Sequence, residues 1–167
     1  MNENQQLMEE TIKNLIELTK EQSKNDGLER VEVMMNPQFV KCSYWERTLT
    51  LAYDVEKWEL NPQNVMHGGI ITTAFDNTFG ILSHFFSGKQ YVTTVELAVH
   101  FHKPILLGDR IEITVKASSI GKTILSYTGE CVVVNRENLL ASTASTTFMV
   151  LKYKTSDLLT SGDDSEK

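Results

Sequence analysis

A single carboxylate interrupts an apolar run in the middle of the chain. Asp76 stands in the sequence TTAFDNTFG. A buried carboxylate is costly unless it is hydrogen-bonded, protonated or used in chemistry. Burial also makes a carboxylate more basic, which suits a base or a nucleophile at neutral pH. We therefore predict that Asp76 is a base or a nucleophile. A structural aspartate that binds Thr72, Thr73 or Thr78 is the alternative.

The glycine pair before this run offers a second group with a chemical use. Gly68 and Gly69 stand where an apolar helix would begin. The first N–H groups of a helix lack partners within it and lie at the positive end of its dipole, and a residue without a Cβ lets an oxygen approach them. One such N–H can stabilise an oxyanion by about 3 kcal/mol. Tight packing against a strand is the alternative explanation.

The separation of the two groups predicts an oligomer. Gly68 and Asp76 are eight residues apart, which places them about 12 Å apart along a helix, too far to contact one carbonyl group together. Two antiparallel copies of the helix around a two-fold axis would bring Gly68 of one subunit beside Asp76 of the other. We therefore expect two equivalent sites per dimer, at the subunit interface.

The periodicity of apolar residues predicts the elements that position these groups. From Glu3 to about Lys24 they recur every three or four positions, which predicts an amphipathic helix that ends at Asn25-Asp26-Gly27. The segment from Gly68 to about Phe86 is apolar on nearly all sides, which predicts a helix that is buried on most sides.

The other segments alternate between apolar and polar residues, as strands do. RVEVMMNP and YWERTLTLAYDV predict an antiparallel pair, in which Trp45 and Arg47 share a face with later apolar residues. Four strands follow the central helix, and the turns at Pro104 with LLGD, at SIGK and at NREN predict that they form a meander. In the first of the four, the alternation predicts that the side chains of Thr94 and Leu97 point to opposite faces of the sheet. An antiparallel sheet wrapped around a helix belongs to the α+β class.

Length and charge narrow the class of protein. The 167 residues have the size of one domain, and the net charge of −6 argues against a nucleic-acid partner. No apolar run is long enough for a bilayer and the first ten residues lack a secretory signal, so we expect a cytoplasmic protein without a membrane partner. Cys42 and Cys131 fit neither a metal-ligand spacing nor a disulfide framework, which predicts buried free thiols.

Together these motifs resemble the hotdog-fold acyl-CoA thioesterases, particularly the phenylacetate-pathway type. The similarity covers roughly residues 31–151 and rests on the HGG motif that begins at His67, on Asp76 after it, on Asn61 six residues before the histidine, and on TVELAVHFHKPILLGD. It implies a hotdog fold, in which an antiparallel β-sheet wraps a long central helix. The expected divisions are an N-terminal amphipathic helix (1–26), a hotdog thioesterase domain (27–154) and a flexible acidic tail (155–167).

The resemblance also implies roles for residues. Asp76 matches the base or nucleophile, and Gly68 the backbone amide that polarises the carbonyl. Asn61 matches the asparagine that orients the attacking water or the thioester, and Thr94 falls where some members carry a hydroxyl that assists the water. The implied reaction is hydrolysis of an acyl-CoA by a homodimer, which in this family often pairs into a tetramer.

Substrate binding draws on fewer observations. His67 and Gly69 at the helix start could contact the substrate, although a histidine there more often caps the helix. Lys122 is a candidate for the phosphates of coenzyme A, since these need cationic contacts. The reaction needs only a polarising donor, a carboxylate and a channel, so we expect no cofactor and no metal. His100 and His102 share a strand face without a convincing third ligand.

Two other functions stay open. Hotdog folds also support hydratases, which usually carry an aspartate two residues before Asn-Pro and a histidine close by; this chain has Asn61-Pro62 without that aspartate, and His67 is distant. A non-catalytic module that binds an acyl-CoA or a fatty acid through the same channel is the second alternative. Turnover of an acyl-CoA would separate it from an enzyme.

Overall fold

Long helices and one antiparallel sheet make up the computed structural model, which describes residues 2–151. Its elements are α1 (Glu3–Asp26), α2 (Val31–Met34), β1 (Gln38–Ser43), β2 (Thr48–Asp54), α3 (Gly68–Phe86), β3 (Val92–Phe101), β4 (Arg110–Ile120), β5 (Ile124–Val133) and β6 (Leu139–Val150), with 3-10 turns at Lys57–Glu59 and Val134–Arg136. The predicted α+β class and the predicted bounds of α1 and α3 are confirmed. The predicted tail (155–167) and the predicted domain end at residue 154 lie outside the described residues.

The sheet curves around α3 and buries one side of it. Phe75, Phe79 and Leu82 of α3 have no exposed surface. Gly129 in β5 lies directly below the two rings, because a Cβ at this glycine would stand 3.0 Å from Phe79 and 3.1 Å from Phe75. The missing side chain thus lets the helix approach the sheet closely.

The six strands follow the order β1-β2-β4-β5-β6-β3, and all neighbours are antiparallel. The predicted meander is confirmed for β4, β5 and β6 and is wrong for β3. Strand β3 does not pair with the next strand in the chain but with β6, so β1 and β3 form the two edges of the sheet. Among residues 2–151, no helix has the length and apolarity needed to cross a membrane.

The predicted strand pair before α3 is partly wrong. The segment RVEVMM does not form a strand, since residues 31–34 form the short helix α2, and the first strand begins only after Pro37. Proline disfavours a helical conformation of the residue before it, and Asn36 has a φ of 47°, so the helix ends there. Residues 44–47 form a turn in which Trp45 is 69% exposed, instead of extending β2.

Helix α1 packs on the edge of this core. Its residues Met8, Ile12 and Ile16 are buried, and the helix ends at Gly27, whose φ of 70° is left-handed. At its start the Gln5 side chain binds the edge strand β1. Gln5 Nε2 donates to the Cys42 carbonyl at 3.0 Å, and the Tyr44 N–H donates to Gln5 Oε1 at 2.8 Å.

Candidate functional site

The Asp76 carboxylate is held by a residue from a neighbouring strand. Thr94 Oγ1 in β3 donates a hydrogen bond to Asp76 Oδ1 at 2.8 Å. The three threonines of α3 bind carbonyls of their own helix four residues earlier instead: Thr72, Thr73 and Thr78. The predicted full burial of Asp76 is wrong for the single chain, because this side of α3 faces away from the sheet and leaves the carboxylate partly exposed.

Thr94 reaches Asp76 because β3 contains a bulge. Thr94 pairs with Phe148 and Glu96 pairs with Thr147, so Val95 is an extra residue and is 58% exposed. A bulge interrupts the alternation of side chains along a strand. The prediction that Thr94 faces away from Leu97 is therefore wrong, since Leu97 packs against the core while Thr94 contacts α3.

At the start of α3, two neighbouring N–H groups differ in their partners. His67 is the N-cap residue, and its Nδ1 accepts the Gly69 N–H at 2.8 Å. The Gly68 N–H, by contrast, has no acceptor within residues 2–151. A Cβ at Gly68 would stand 3.3 Å from the Phe101 ring, so the glycine also avoids crowding there. The capping role considered for His67 is confirmed, and the Gly68 N–H is left for another acceptor.

Asn61 and Glu59 shape the loop that leads into α3. Asn61 Oδ1 accepts the Gln63 N–H at 2.9 Å and the Val65 N–H at 3.3 Å, which closes a turn. Glu59 is 2% exposed, its carboxylate accepts the Glu56 N–H at 3.0 Å, and burial raises its pKa. Both side chains thus have structural roles in this loop.

A cavity of about 670 Å³ opens beside Asp76. Its floor is one stripe of α3, its opposite wall is α1, and the start of β3 closes one side. Residues that line it include Leu15, Ile16, Asn77, Gly80, Ile81, His84, Val92 and Phe148. The part played by α1, by Asn77 and by Gly80 was not predicted. The available signal was Gly80 itself, a glycine inside a segment that otherwise favours a helix.

Burial shifts the pKa of two side chains near Asp76, namely Tyr53 and His84. Tyr53 is buried below α3, where its hydroxyl lies 2.8 Å from Thr78 Oγ1 and 3.5 Å from Asn77 Nδ2. Burial raises the pKa of Tyr53 well above its ordinary value. Burial, together with nearby Lys89, lowers the pKa of His84, so this imidazole is neutral at pH 7. Besides Asp76, the charged residues that line the cavity are Lys20, Glu32 and Lys89.

The basic residues differ in whether a carboxylate already pairs with them. Arg110 is paired with Asp54 at 2.8 Å and Arg136 with Asp109 at 3.0 Å. Lys122, the candidate for the phosphates of coenzyme A, is exposed in the turn between β4 and β5. His102 Nε2 lies 2.9 Å from Thr143 Oγ1.

Within the described part of the chain, no three His, Cys, Asp or Glu side chains are placed to hold a metal ion. Cys42 and Cys131 are free thiols; Cys131 is buried as predicted, and Cys42 only partly. Burial raises the pKa of Cys131 to about 12.

Comparison with known proteins gives the class. The sequence model of the thioesterase superfamily matches residues 63–139. The E. coli PaaI protein of the phenylacetic acid degradation operon is 16% identical with a TM-score of 0.63, over 71% of this chain and 82% of that protein. A putative thioesterase from Ralstonia eutropha JMP134, a phenylacetic acid degradation-related protein, is 20% identical with a TM-score of 0.66, over 72% and 89%.

A third similar structure contains a ligand. The Streptococcus mutans protein bound to acetyl-CoA is 20% identical with a TM-score of 0.61, over 70% of this chain and 89% of that protein. No curated protein sequence matches the chain significantly. The shared architecture shows a hotdog fold like that of the PaaI-type proteins, and the thioesterase superfamily model matches residues within it. The predicted hotdog fold is thereby confirmed.

Proposed function

We propose that the protein is a cytoplasmic acyl-CoA thioesterase that releases the free acid and coenzyme A. The observation that carries the proposal is the Asp76 carboxylate, which Thr94 orients beside a large cavity. A carboxylate that is held by one hydrogen bond and still accessible can attack a carbonyl or accept a proton from water. The match to the thioesterase superfamily supports a thioester as the substrate.

Two mechanisms use these groups. In the first, Asp76 removes a proton from a water that attacks the thioester carbonyl, and the tetrahedral intermediate expels the coenzyme A thiolate. In the second, Asp76 itself attacks, the thiolate leaves, and water then hydrolyses the mixed anhydride. In both, the Gly68 N–H donates to the developing oxyanion. A single turnover in ¹⁸O-water separates them, because only the anhydride route can leave ¹⁸O in the protein.

The site would be shared between the two subunits of a homodimer. Gly68 and Asp76 lie on the same straight helix, about 12 Å apart along its axis, so one chain cannot bring both to one carbonyl. The edge strand β3 exposes two apolar side chains. Val95 is 58% exposed and follows Thr94, which binds Asp76. Phe101 is 55% exposed, and its ring lies against Gly68. An edge strand with exposed apolar side chains is a suitable surface for a second copy. Two such dimers would form the expected tetramer.

Secondary roles follow for the other candidate residues. His67 and Gly69 would support the substrate indirectly, because their mutual hydrogen bond fixes the helix start where the Gly68 N–H is presented. Asn61 would act in the same way through its loop, although the family resemblance gives it a place beside the water. Lys122 would contact a phosphate of coenzyme A.

The test is thiol release from a panel of acyl-CoAs with wild-type protein and with Asp76→Ala. Loss of a base or nucleophile should lower kcat by about 100- to 10,000-fold. Asp54→Ala, an exposed aspartate on β2, is the matched control and should keep kcat within about twofold. Full activity of a folded Asp76→Ala protein would contradict the proposal.

The same assay addresses the alternatives. Tight binding of acyl-CoAs without turnover would favour the non-catalytic module. The structure offers less to a hydratase, because Glu59, which stands where that motif has an aspartate, binds a backbone N–H, and the oxygen of Asn61 is bound within its own turn. Hydration of an enoyl-CoA without thiol release would nevertheless favour that function.

A further inference from the structure

Gly80 is an unexpected residue in the middle of α3. A glycine inside a helix makes the helix less stable than an alanine does, so a glycine there usually serves a left-handed φ or close packing. Neither reason applies: its φ is not positive, and no atom outside the local helix backbone lies within 4 Å of the position that a Cβ would take. Gly68 and Gly129, in contrast, each have an aromatic ring at that position.

The empty space at Gly80 belongs to the cavity beside Asp76. Residues three, four, seven and eight positions apart lie on one face of a helix, and the cavity floor follows that spacing. It consists of Thr73, Asp76, Asn77, Gly80, Ile81 and His84. From Asp76 to His84 the stripe is about 12 Å long. The candidate catalytic carboxylate and Gly80 are therefore one helical turn apart on the same wall.

The opposite wall comes from α1. Leu15 and Ile16 line the cavity there, and Val92 and Phe148 line its side, so its lining has a large apolar part. Helix α1 lies outside residues 63–139, the part matched by the thioesterase superfamily. Charged residues line the cavity as well, namely Lys20, Glu32 and Lys89. Its apolar walls next to a carboxylate suit an apolar chain attached to the reacting carbonyl.

We propose that this cavity holds the acyl group, that Gly80 sets the length of acyl chain that can enter, and that Leu15 of α1 forms the facing wall. The preferred substrates are then acyl-CoAs with an apolar acyl group of medium length, in preference to acetyl-CoA. The inference rests on the proposed function in one respect, that the thioester carbonyl lies at Asp76.

The experiment compares acetyl-, hexanoyl- and decanoyl-CoA, with kcat/KM from thiol release and with the Kd of each from calorimetry in proteins that also carry Asp76→Ala, which should not hydrolyse them. Each methylene excluded from an apolar site should weaken binding by about fourfold. Gly80→Leu should therefore raise the Kd of decanoyl-CoA about tenfold or more and leave that of acetyl-CoA within about twofold. Gly80→Ala, which is easier to accommodate in a helix, should show a smaller shift in the same direction.

Two substitutions on α1 form a matched pair. Leu15→Ala should enlarge the cavity and shift the preference towards decanoyl-CoA by several-fold. Leu18→Ala is the control, because Leu18 lies on the same helix, is 59% exposed and does not line this cavity. It should leave the ratio of decanoyl- to acetyl-CoA unchanged.

An unchanged chain-length profile in folded Gly80→Leu and Gly80→Ala proteins would overturn the inference. An equal loss for all acyl groups, together with dissociation of the dimer in sedimentation, would also overturn it, because Gly80 would then be a contact between helices. If the wild-type protein binds all three ligands and hydrolyses none, the proposed function fails. The Kd profile of the Gly80 variants still decides the role of the cavity in that case.

Discussion

The two sides of α3 differ in how they are packed. On the sheet side, Phe75 and Phe79 stack with ring centroids 6.0 Å apart, and their rings fill the space left by Gly129. On the other side, Asp76 is partly exposed and Gly80 faces empty space. The sheet side is mainly apolar, whereas the open side carries mostly polar residues and a glycine. The sheet side therefore forms the core of the fold, whereas the open side is left uncovered in the single chain.

Among the substitutions that test this difference between the two sides, Phe79→Ala should have the largest effect. Removal of a fully buried ring should lower the free energy of unfolding by about 3–5 kcal/mol. Urea denaturation measures it. Thr73→Ala, on the cavity side of the same helix, should change that free energy by about 0.5 kcal/mol or less. Similar losses at the two positions would show that the two sides are equally packed.

Gly129→Ala should have the next largest effect. The new methyl group would stand 3.0–3.1 Å from Phe79, Phe75 and Val115, none of which has exposed surface to move into. Overpacking of this kind costs about 1–3 kcal/mol. A fall in the thermal midpoint would agree with the prediction, and an unchanged midpoint would mean that the rings yield easily.

Thr94→Val tests the open side of α3 through its effect on kcat. Loss of the hydrogen bond to the Asp76 carboxylate should lower kcat about 10- to 150-fold, since a bond to a charged group contributes about 1.5–3 kcal/mol. Thr94→Ser keeps the hydroxyl and should stay near the wild-type rate. Because Thr94 is exposed in the single chain, the thermal midpoint should change little. Equal rates for the valine and serine variants would remove Thr94 from the site.

Gly80→Ala should give the smallest effect, with the opposite sign to Gly129→Ala. No contact opposes the added methyl group, and alanine is favoured over glycine in a helix, so the free energy of unfolding should rise by about 0.5–1 kcal/mol. Thermal denaturation of both glycine variants beside the wild type makes the comparison direct. A loss of stability in Gly80→Ala would show that the space at Gly80 is filled in the native protein.

Local patterns were sufficient to predict the two long helices and the tight turns. The bounds of α1 and α3 follow from apolar spacing over many turns, and the β4–β5 connection follows from a short glycine turn. Residues 31–34 were predicted wrongly because two valines at period two are too short a pattern to distinguish a strand from one helical turn. Pro37 accounts for the end of this helical turn, after which the first strand begins.

The site depends on contacts that sequence spacing does not contain. The bulge at Val95 arises from pairing with β6, about fifty residues later, so the orientation of Thr94 could not be read from alternation in β3. The role of Gly80 becomes visible only when α1 is placed opposite it. The shared active centre of Gly68 and Asp76 stays a prediction, since it involves a second chain.

The contact between Gln5 and β1 has a consequence for truncated forms of the protein. The side-chain amide of Gln5 binds one backbone carbonyl and one backbone N–H, as a neighbouring strand would, at an edge of the sheet. Unpaired strand edges promote aggregation between molecules. Deletion of α1 should therefore lower solubility as well as open the cavity, so this helix also limits unwanted self-association.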